Sequence, residues 1–329
     1  MIIAPQWIGD AVMTEPLLRR LSARGERLTV GALPWVAPVY RAMPQVAEVI
    51  EFPFAHGGLQ FKARRSLAKQ LEDRFDIAYV CPNSLKSALL PFLASIPKRV
   101  GYLGEARVGL LTHRLKNPPK ERRPPMVAFY SALSGEADVA ADRPQLQLDP
   151  AEVDRALATM GLRRRGYYVF APGAEYGPAK RWPAAHFAEL ARRLDLPVVL
   201  LGSSKEFELC HEIAAPVNAE QAGKCLNFAG KTSLAHAFSA ITATKSIVSN
   251  DSGLMHVAAA FGVPQIALFG SSSPLHTPPL NDQATVLWLK NNASYQPPLD
   301  CAPCFARVCP LGHTRCLVDI SAADVLQNI

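Results

Sequence analysis

Along the 329-residue chain, short apolar and β-branched runs alternate with longer stretches that are amphipathic at helical spacing. The runs fall at 28–33, 49–52 and 77–81, and again at 167–171, 198–201, 246–249, 265–269 and 285–289. The amphipathic stretches include 11–24, 62–75, 187–194 and 254–261. Strands alternating with helices of this length predict parallel sheets in an α/β architecture, built twice. Residues 135–165 separate the two sets: the stretch is polar, carries Pro144 and Pro150, and ends in Arg163, Arg164 and Arg165. The expected domains are therefore 1–160 and 161–329, with a cysteine-rich segment at 301–316 and a terminal helix at 321–329.

Length and composition agree with two globular domains, at 49% hydrophobic and 19% charged residues. No run approaches the ~20 apolar residues of a membrane span. The N-terminus lacks the pattern of a secretory signal. The expectation is a cytoplasmic protein whose seven cysteines stay reduced. The net charge of +7 is unevenly spread: residues 56–123 hold fourteen Lys/Arg against five Asp/Glu. Such a local excess points to an anionic partner (phosphorylated lipid, nucleic acid or an acidic membrane surface) or to a solvated face.

Three strand ends in the second half run into loops suited to phosphate. "FAPGAEYGPAKRWP" (170–183) is rich in Gly and Pro and has one lysine; "LLGSSKEFE" (200–208) leads into a helix with acids in its first turn. "IVSNDSGLMHVAAAFGVP" (247–264) leads into a helix of small residues. Loops at the carboxyl ends of parallel strands converge where open α/β sheets bind ligands. Small residues at a helix start let backbone N–H groups approach an anion. Lys180 suits the same phosphates as a point charge, and Glu206 suits ribose hydroxyls. Capping by Asp251 and Ser252, a place in a first helical turn for Glu206, and a packed His256 are the plainer alternatives. Neither a GxGxxG nor a GxxxxGK[ST] loop is present, nor a D-x-D triplet to hold a metal-bound diphosphate.

At the other end, "IIAPQWIGDAVMTEPLLRRL" (2–21) puts Asp10 where a strand turns into a helix, the place of a helix cap. A third feature is "CAPCFARVCPLGHTRC": Cys301, Cys304, Cys309 and Cys316 at C-x2-C-x4-C-x6-C spacing, with His313 among them. This suits a structural zinc, an iron–sulfur ligand set, reduced buried thiols or labile disulfides. The segment is remote in sequence from the loops above, so a metal here is expected to be structural. A basic, zinc-bearing nucleic-acid binder is the rival class, although no RRM, KH or helix-turn-helix wording is present.

"PQWIGDAVMTEPLLRRL", "PNSLKSALLPFLASIPKRVGYLGEARVGLL", "PGAEYGPAKRWP" and "NDSGLMHVAAA" together resemble the ADP-heptose:lipopolysaccharide heptosyltransferases of glycosyltransferase family 9. The resemblance runs to about Pro279. "PNSLKSAL", "AKRWP" and Met255 before His256 side with the branch that adds the second inner-core heptose. The branch adding the first would read closer to Asp-Thr-Gly-Leu-Ser-His. The resemblance implies a GT-B architecture, two Rossmann-like domains facing across a cleft, and an inverting, metal-independent transfer with no required cofactor. It implies Asp10 as the general base. It also implies a donor site of Gly173, Tyr176, Lys180, Glu206, Asp251, Ser252, Gly253, Leu254, Met255 and His256. The implied partners are ADP-heptose, a heptosyl-Kdo-lipid A acceptor and the anionic inner membrane, with no nucleic acid. Lys62, Arg64 and Arg65, after Gly57-Gly58, with Lys86 and Arg107, are the expected acceptor contacts. Relatives begin several residues earlier, so a short first strand or a start upstream of Met1 is expected. Residues 321–329 leave little to cross back onto the first domain, as the last helix of a GT-B protein normally does.

Overall fold

The computed structural model describes residues 1–54, 58–119, 123–136 and 142–329, and forms two units, Met1–Gln147 and Leu148–Ile329. The first holds β1 (Ile2–Ile3), β2 (Leu28–Ala32), β3 (Val46–Glu51), β4 (Ile77–Val80), β5 (Lys98–Tyr102) and β6 (His113–Leu115), in the order β3-β2-β1-β4-β5-β6. The second holds β7 (Tyr168–Ala171), β8 (Val198–Leu200), β9 (Cys225–Asn227), β10 (Ile247–Asn250), β11 (Gln265–Leu268) and β12 (Ala284–Leu287), in the order β12-β11-β10-β7-β8-β9. All pairings are parallel. Numbered from its own start, the second sheet repeats the order of the first, which is the Rossmann arrangement. Strand order reverses between β1 and β4 in one unit and between β7 and β10 in the other. Ligands of open α/β sheets bind at these breaks.

Most of the apolar runs became interior strands, because both faces of a parallel sheet are covered, while those at 49–52 and 285–289 lie in the edge strands β3 and β12. Ile2, Ile3 and Val80 are buried in the first sheet, as are Val169, Phe170, Val198 and Val248 in the second. The stretch 11–24 divides into helices Ile8–Met13 and Glu15–Ala23, the second starting with Pro16 in its first turn. β1 is two residues long yet central, pairing β2 on one side and β4 on the other.

The boundary lies earlier than the expected residue 160. Helix Pro150–Met160, N-capped by Asp149, packs on helix Leu234–Thr242 and so belongs to the second unit. The terminal helix, Ala322–Leu326, packs on helix Ala184–Arg193 of its own unit with Val325 buried. Among the described residues, no helix is long and apolar enough to cross a membrane.

Candidate active site

Asp10 is not the cap of its helix. Trp7 occupies that position, and Asp10 is the third helical residue, just past β1 at the strand-order break. Its Oδ1 accepts a hydrogen bond from Tyr130 Oη at 3.0 Å. Burial, then the charge of Asp10, pushes the Tyr130 hydroxyl well above its ordinary pKa, so the phenol stays a neutral donor. Tyr40 and Cys81 stand near enough to feel the same carboxylate. Burial raises the Cys81 thiol to about 12, which leaves it inert. Trp7 and Trp35 are exposed on this side, with Trp35 Nε1 donating to Gln6 O at 3.0 Å. The carboxylate thus has a neutral phenol among its partners. Tyr130 carries no motif and escaped the sequence reading.

The second unit gathers most of its expected residues at the β7/β10 break. Asn250 ties the loops together: its Oδ1 accepts from Trp182 N at 2.9 Å and its Nδ2 donates to Pro172 O at 2.7 Å. Asp251 is buried and receives Lys180 Nζ at 2.6 Å, immediately before helix Gly253–Ala260. Ser252 holds the N-cap backbone position without a side-chain cap bond, and among the described residues its buried Oγ has no partner. Buried Oγ atoms of Ser249, Ser271 and Ser272 are unpartnered as well. Buried hydroxyls left unpaired are costly, and a polar ligand would relieve them. Gly173 and Glu206 meet here too: a Cβ at Gly173 would lie 1.7 Å from Glu206 Oε1. Glu206 also closes a capping box with Ser203, so the plainer alternative for it holds as well.

His256 is buried on the same helix, and burial, opposed by Asp251 and assisted by Lys180, lowers its pKa to about 4. Its ring is neutral at neutral pH. Met255 faces the core against Ala267 and Phe269, so its side chain leaves the expected donor set. Gly253 and Leu254 begin the helix and are half-buried. Tyr176 is exposed, with its ring 5.4 Å from Lys180 Nζ.

Two expected acceptor residues are corrected. Arg107 is fully buried and spends its guanidinium on Tyr102 O, Pro82 O, Ser84 O, Ser87 Oγ and Asn83 Oδ1. Arg64 is buried beneath the start of its helix, donating to Leu59 O at 2.7 Å and Lys86 O at 3.1 Å and stacking on Phe54. Both satisfy carbonyls that the fold leaves open, and neither presents a charge to solvent. Lys62 and Arg65 are exposed and Lys86 is half-buried. Gly57 lies outside the described residues.

The cysteine-rich segment is remote only in sequence. Cys301, Cys304, Cys309, Cys316 and His313 line one hollow with Ala179 of the Lys180 loop and Ser271 of the loop after β11. Among the described residues, no three His, Cys, Asp or Glu side chains group as metal ligands. The expected zinc thus has its residues around one space without a converged thiolate cage. Burial opposes ionisation of Cys309, but backbone N–H bonds from Thr314, Leu311, Gly312 and His313 outweigh it and lower the thiol's pKa. Burial and the three neighbouring thiols raise Cys316 to about 11.

Two Rossmann-like units, one with a carboxylate at its strand-order break and the other with a lysine and a helix start at its own, define a glycosyltransferase of the GT-B type. The glycosyltransferase family 9 (heptosyltransferase) model matches residues 64–314. The chain is 43% identical to lipopolysaccharide heptosyltransferase 2 of Escherichia coli K12, with 100% of this chain and 97% of that protein aligned. It is 42% identical to the Salmonella typhimurium enzyme of that name, over 100% and 97%. The solved structure of E. coli ADP-heptose lps heptosyltransferase II superposes with a TM-score of 0.86 at 40% identity, covering 99% of this chain and 96% of that one. The chain belongs to glycosyltransferase family 9 and is a heptosyltransferase.

Proposed function

We propose that this enzyme moves L-glycero-D-manno-heptose from ADP-heptose to the first heptose of a Kdo-lipid A inner core, with inversion and without a catalytic metal. The acceptor hydroxyl gives its proton to Asp10 as its oxygen bonds to the anomeric carbon, while the bond from that carbon to ADP breaks. Lys180 and the N-terminal N–H groups of helix Gly253–Ala260 take up the charge gathering on the departing diphosphate. The observation that supports the reading is the hydrogen bond from neutral Tyr130 to Asp10, which orients the carboxylate beside the strand-order break of the first sheet. Exposed Trp7 and Trp35 offer flat apolar surface to the sugar faces of an acceptor. The test is product analysis with lipid acceptors carrying one heptose or none: transfer to the one-heptose acceptor is expected, and a preference for the other overturns the assignment.

Membrane contact belongs to the same reading. Leu59, Phe61 and Leu85 are exposed around the buried Arg64, which binds Leu59 O and Lys86 O, with Lys62 and Arg65 beside them. Apolar side chains ringed by cations suit an anionic bilayer surface. Such contact would keep a cytoplasmic enzyme at the inner membrane, where its lipid-borne acceptor is found. Phosphatidylglycerol vesicles should retain the protein and phosphatidylcholine vesicles should not, and Phe61→Ser with Lys62→Glu should abolish retention. Equal retention by both vesicles removes this assignment. The nucleic-acid alternative finds no support in a chain of this family.

A further inference from the structure

The cysteine-rich segment touches the Lys180 loop at several points. Tyr176 Oη donates to Phe305 O at 2.8 Å, and Ala179 N donates to Arg307 O at 3.1 Å. Gly177 fits beneath the same carbonyl, because a Cβ there would stand 2.4 Å from Arg307 O. On its other side the segment is joined to the loop after β11, where Phe305 N donates to Ser271 O at 2.7 Å. It therefore bridges the loop after β7, which borders the β7/β10 break, and the loop after β11.

Its side chains matter as well as its backbone. The exposed Arg307 guanidinium lies 5.0 Å from the Tyr176 ring centroid, and Lys180 Nζ lies 5.4 Å from the same centroid. Lys180 is already paired with Asp251. Arg307 makes no ion pair among the described residues. A diphosphate carries more charge than one half-neutralised lysine can balance, and a guanidinium suits phosphate oxygens through paired N–H donors.

We propose that residues 301–316 form a wall of the donor site and that Arg307 is a second donor-binding cation, sharing the Tyr176 ring with Lys180 and contacting the diphosphate of a nucleoside-diphosphate sugar. This rests on the donor assignment above. It gives the segment a place in the site whether or not its thiols ever hold a metal. The contact is made in the ground state, so its loss falls on donor affinity first.

Arg307→Ala separates the two contributions, because it removes the guanidinium and keeps the carbonyl that holds Ala179. Titration calorimetry with ADP and with AMP, on wild type, Arg307→Ala and Arg307→Lys, tests the proposal. In Arg307→Ala, ADP should bind about tenfold more weakly, as expected for one partly screened charge-assisted contact. AMP, which lacks the outer phosphate, should change much less, so the preference for ADP shrinks. Arg307→Lys should recover part of the loss, and donor KM should rise while acceptor KM holds. A merely structural role would instead lower ADP and AMP affinity together along with Tm. That outcome, or ADP affinity within twofold of wild type in Arg307→Ala, overturns the proposal. Wild-type protein that binds no ADP would overturn the donor assignment itself, separately from anything seen at residue 307.

Discussion

Asp10 and Asp251 invite comparison because each follows a strand bordering the break in strand order of its own sheet, Asp10 after β1 and Asp251 after β10. Their partners differ in charge. Tyr130, a neutral phenol held protonated by burial, donates to Asp10. Asp251 is ion-paired to Lys180 at 2.6 Å. A hydrogen bond from a neutral phenol orients a carboxylate without itself adding a countercharge. A carboxylate bound to a lysine is occupied, and what it contributes is the placement of that lysine. On the proposed reading, the same residue type at similar positions serves as a base in one unit and as a support for an anion site in the other. Topology selects the place, and the partner selects the role.

The largest expected effect comes from breaking the first member of the comparison. Asp10→Asn should keep ADP-heptose affinity near wild type while kcat falls by about two to four orders of magnitude, the usual span for a general base. Equilibrium binding and single-turnover transfer measure the two halves. Near-normal kcat would reduce Asp10 to a helix-start residue.

Lys180→Ala should come next, raising donor KM and lowering kcat together, by about a hundredfold in kcat/KM, because the charge it balances grows as ADP departs. The variant also leaves Asp251 buried and unpaired, a penalty of its own. Asp251→Asn should therefore cost less than Lys180→Ala if Asp251 serves mainly to hold the lysine. The reverse order would mean that the acid touches substrate. Both measurements belong in EDTA-containing buffer, where wild-type activity should persist. Loss of transfer on chelation, restored by Mg²⁺, would sink the metal-free mechanism.

Smaller again is Tyr130→Phe, which changes the neutral partner and leaves the base in place. A hydrogen bond to a carboxylate favours its charged form. Removing the phenol should raise the pKa of Asp10, moving the acidic limb of the kcat/KM profile to higher pH and costing about tenfold below the limb. An unmoved limb would show that Tyr130 is packing only.

What the sequence made legible follows from the same physics. Asp10, Lys180 and Asp251 stand out because a polar residue between an apolar strand and an amphipathic helix is visible in one dimension. β5 and β6 were missed because Lys98, Arg99, His113 and Arg114 break their apolar pattern. β9 was missed because Cys225 and Leu226 are its only apolar residues, too short a run to stand out. Arg64 and Arg107 look like any surface cation in a basic stretch; only the fold reveals the carbonyls that draw them inward. Tyr130 reaches Asp10 across 120 positions, and Phe305 reaches Tyr176 across 129, so no local pattern carries either contact.

The smallest effect on activity is expected at His256, and it tests how closed the second site is. Burial is the chief cause of its lowered pKa, with Asp251 pulling the other way and Lys180 adding to the shift. An unfolded chain takes up this proton near the ordinary pKa of about 6.5, while the folded protein refuses it down to about 4. Falling pH therefore favours the unfolded state across that window, and the contribution is full above it. Between pH 7 and pH 5 the histidine alone should remove about 2 kcal/mol of stability. His256→Gln should flatten that part of the stability–pH curve, read from urea midpoints. Its kcat/KM at pH 7.5 should stay within about threefold of wild type, since the ring is already neutral there. Lys180→Ala removes a charge that opposes protonation of His256, so the fall should still begin near the ordinary histidine value but end at higher pH and be smaller. If the curve of His256→Gln falls as steeply as that of wild type, the proton enters elsewhere, and the site around Asp251 is less closed to charge than the Lys180 pair indicates.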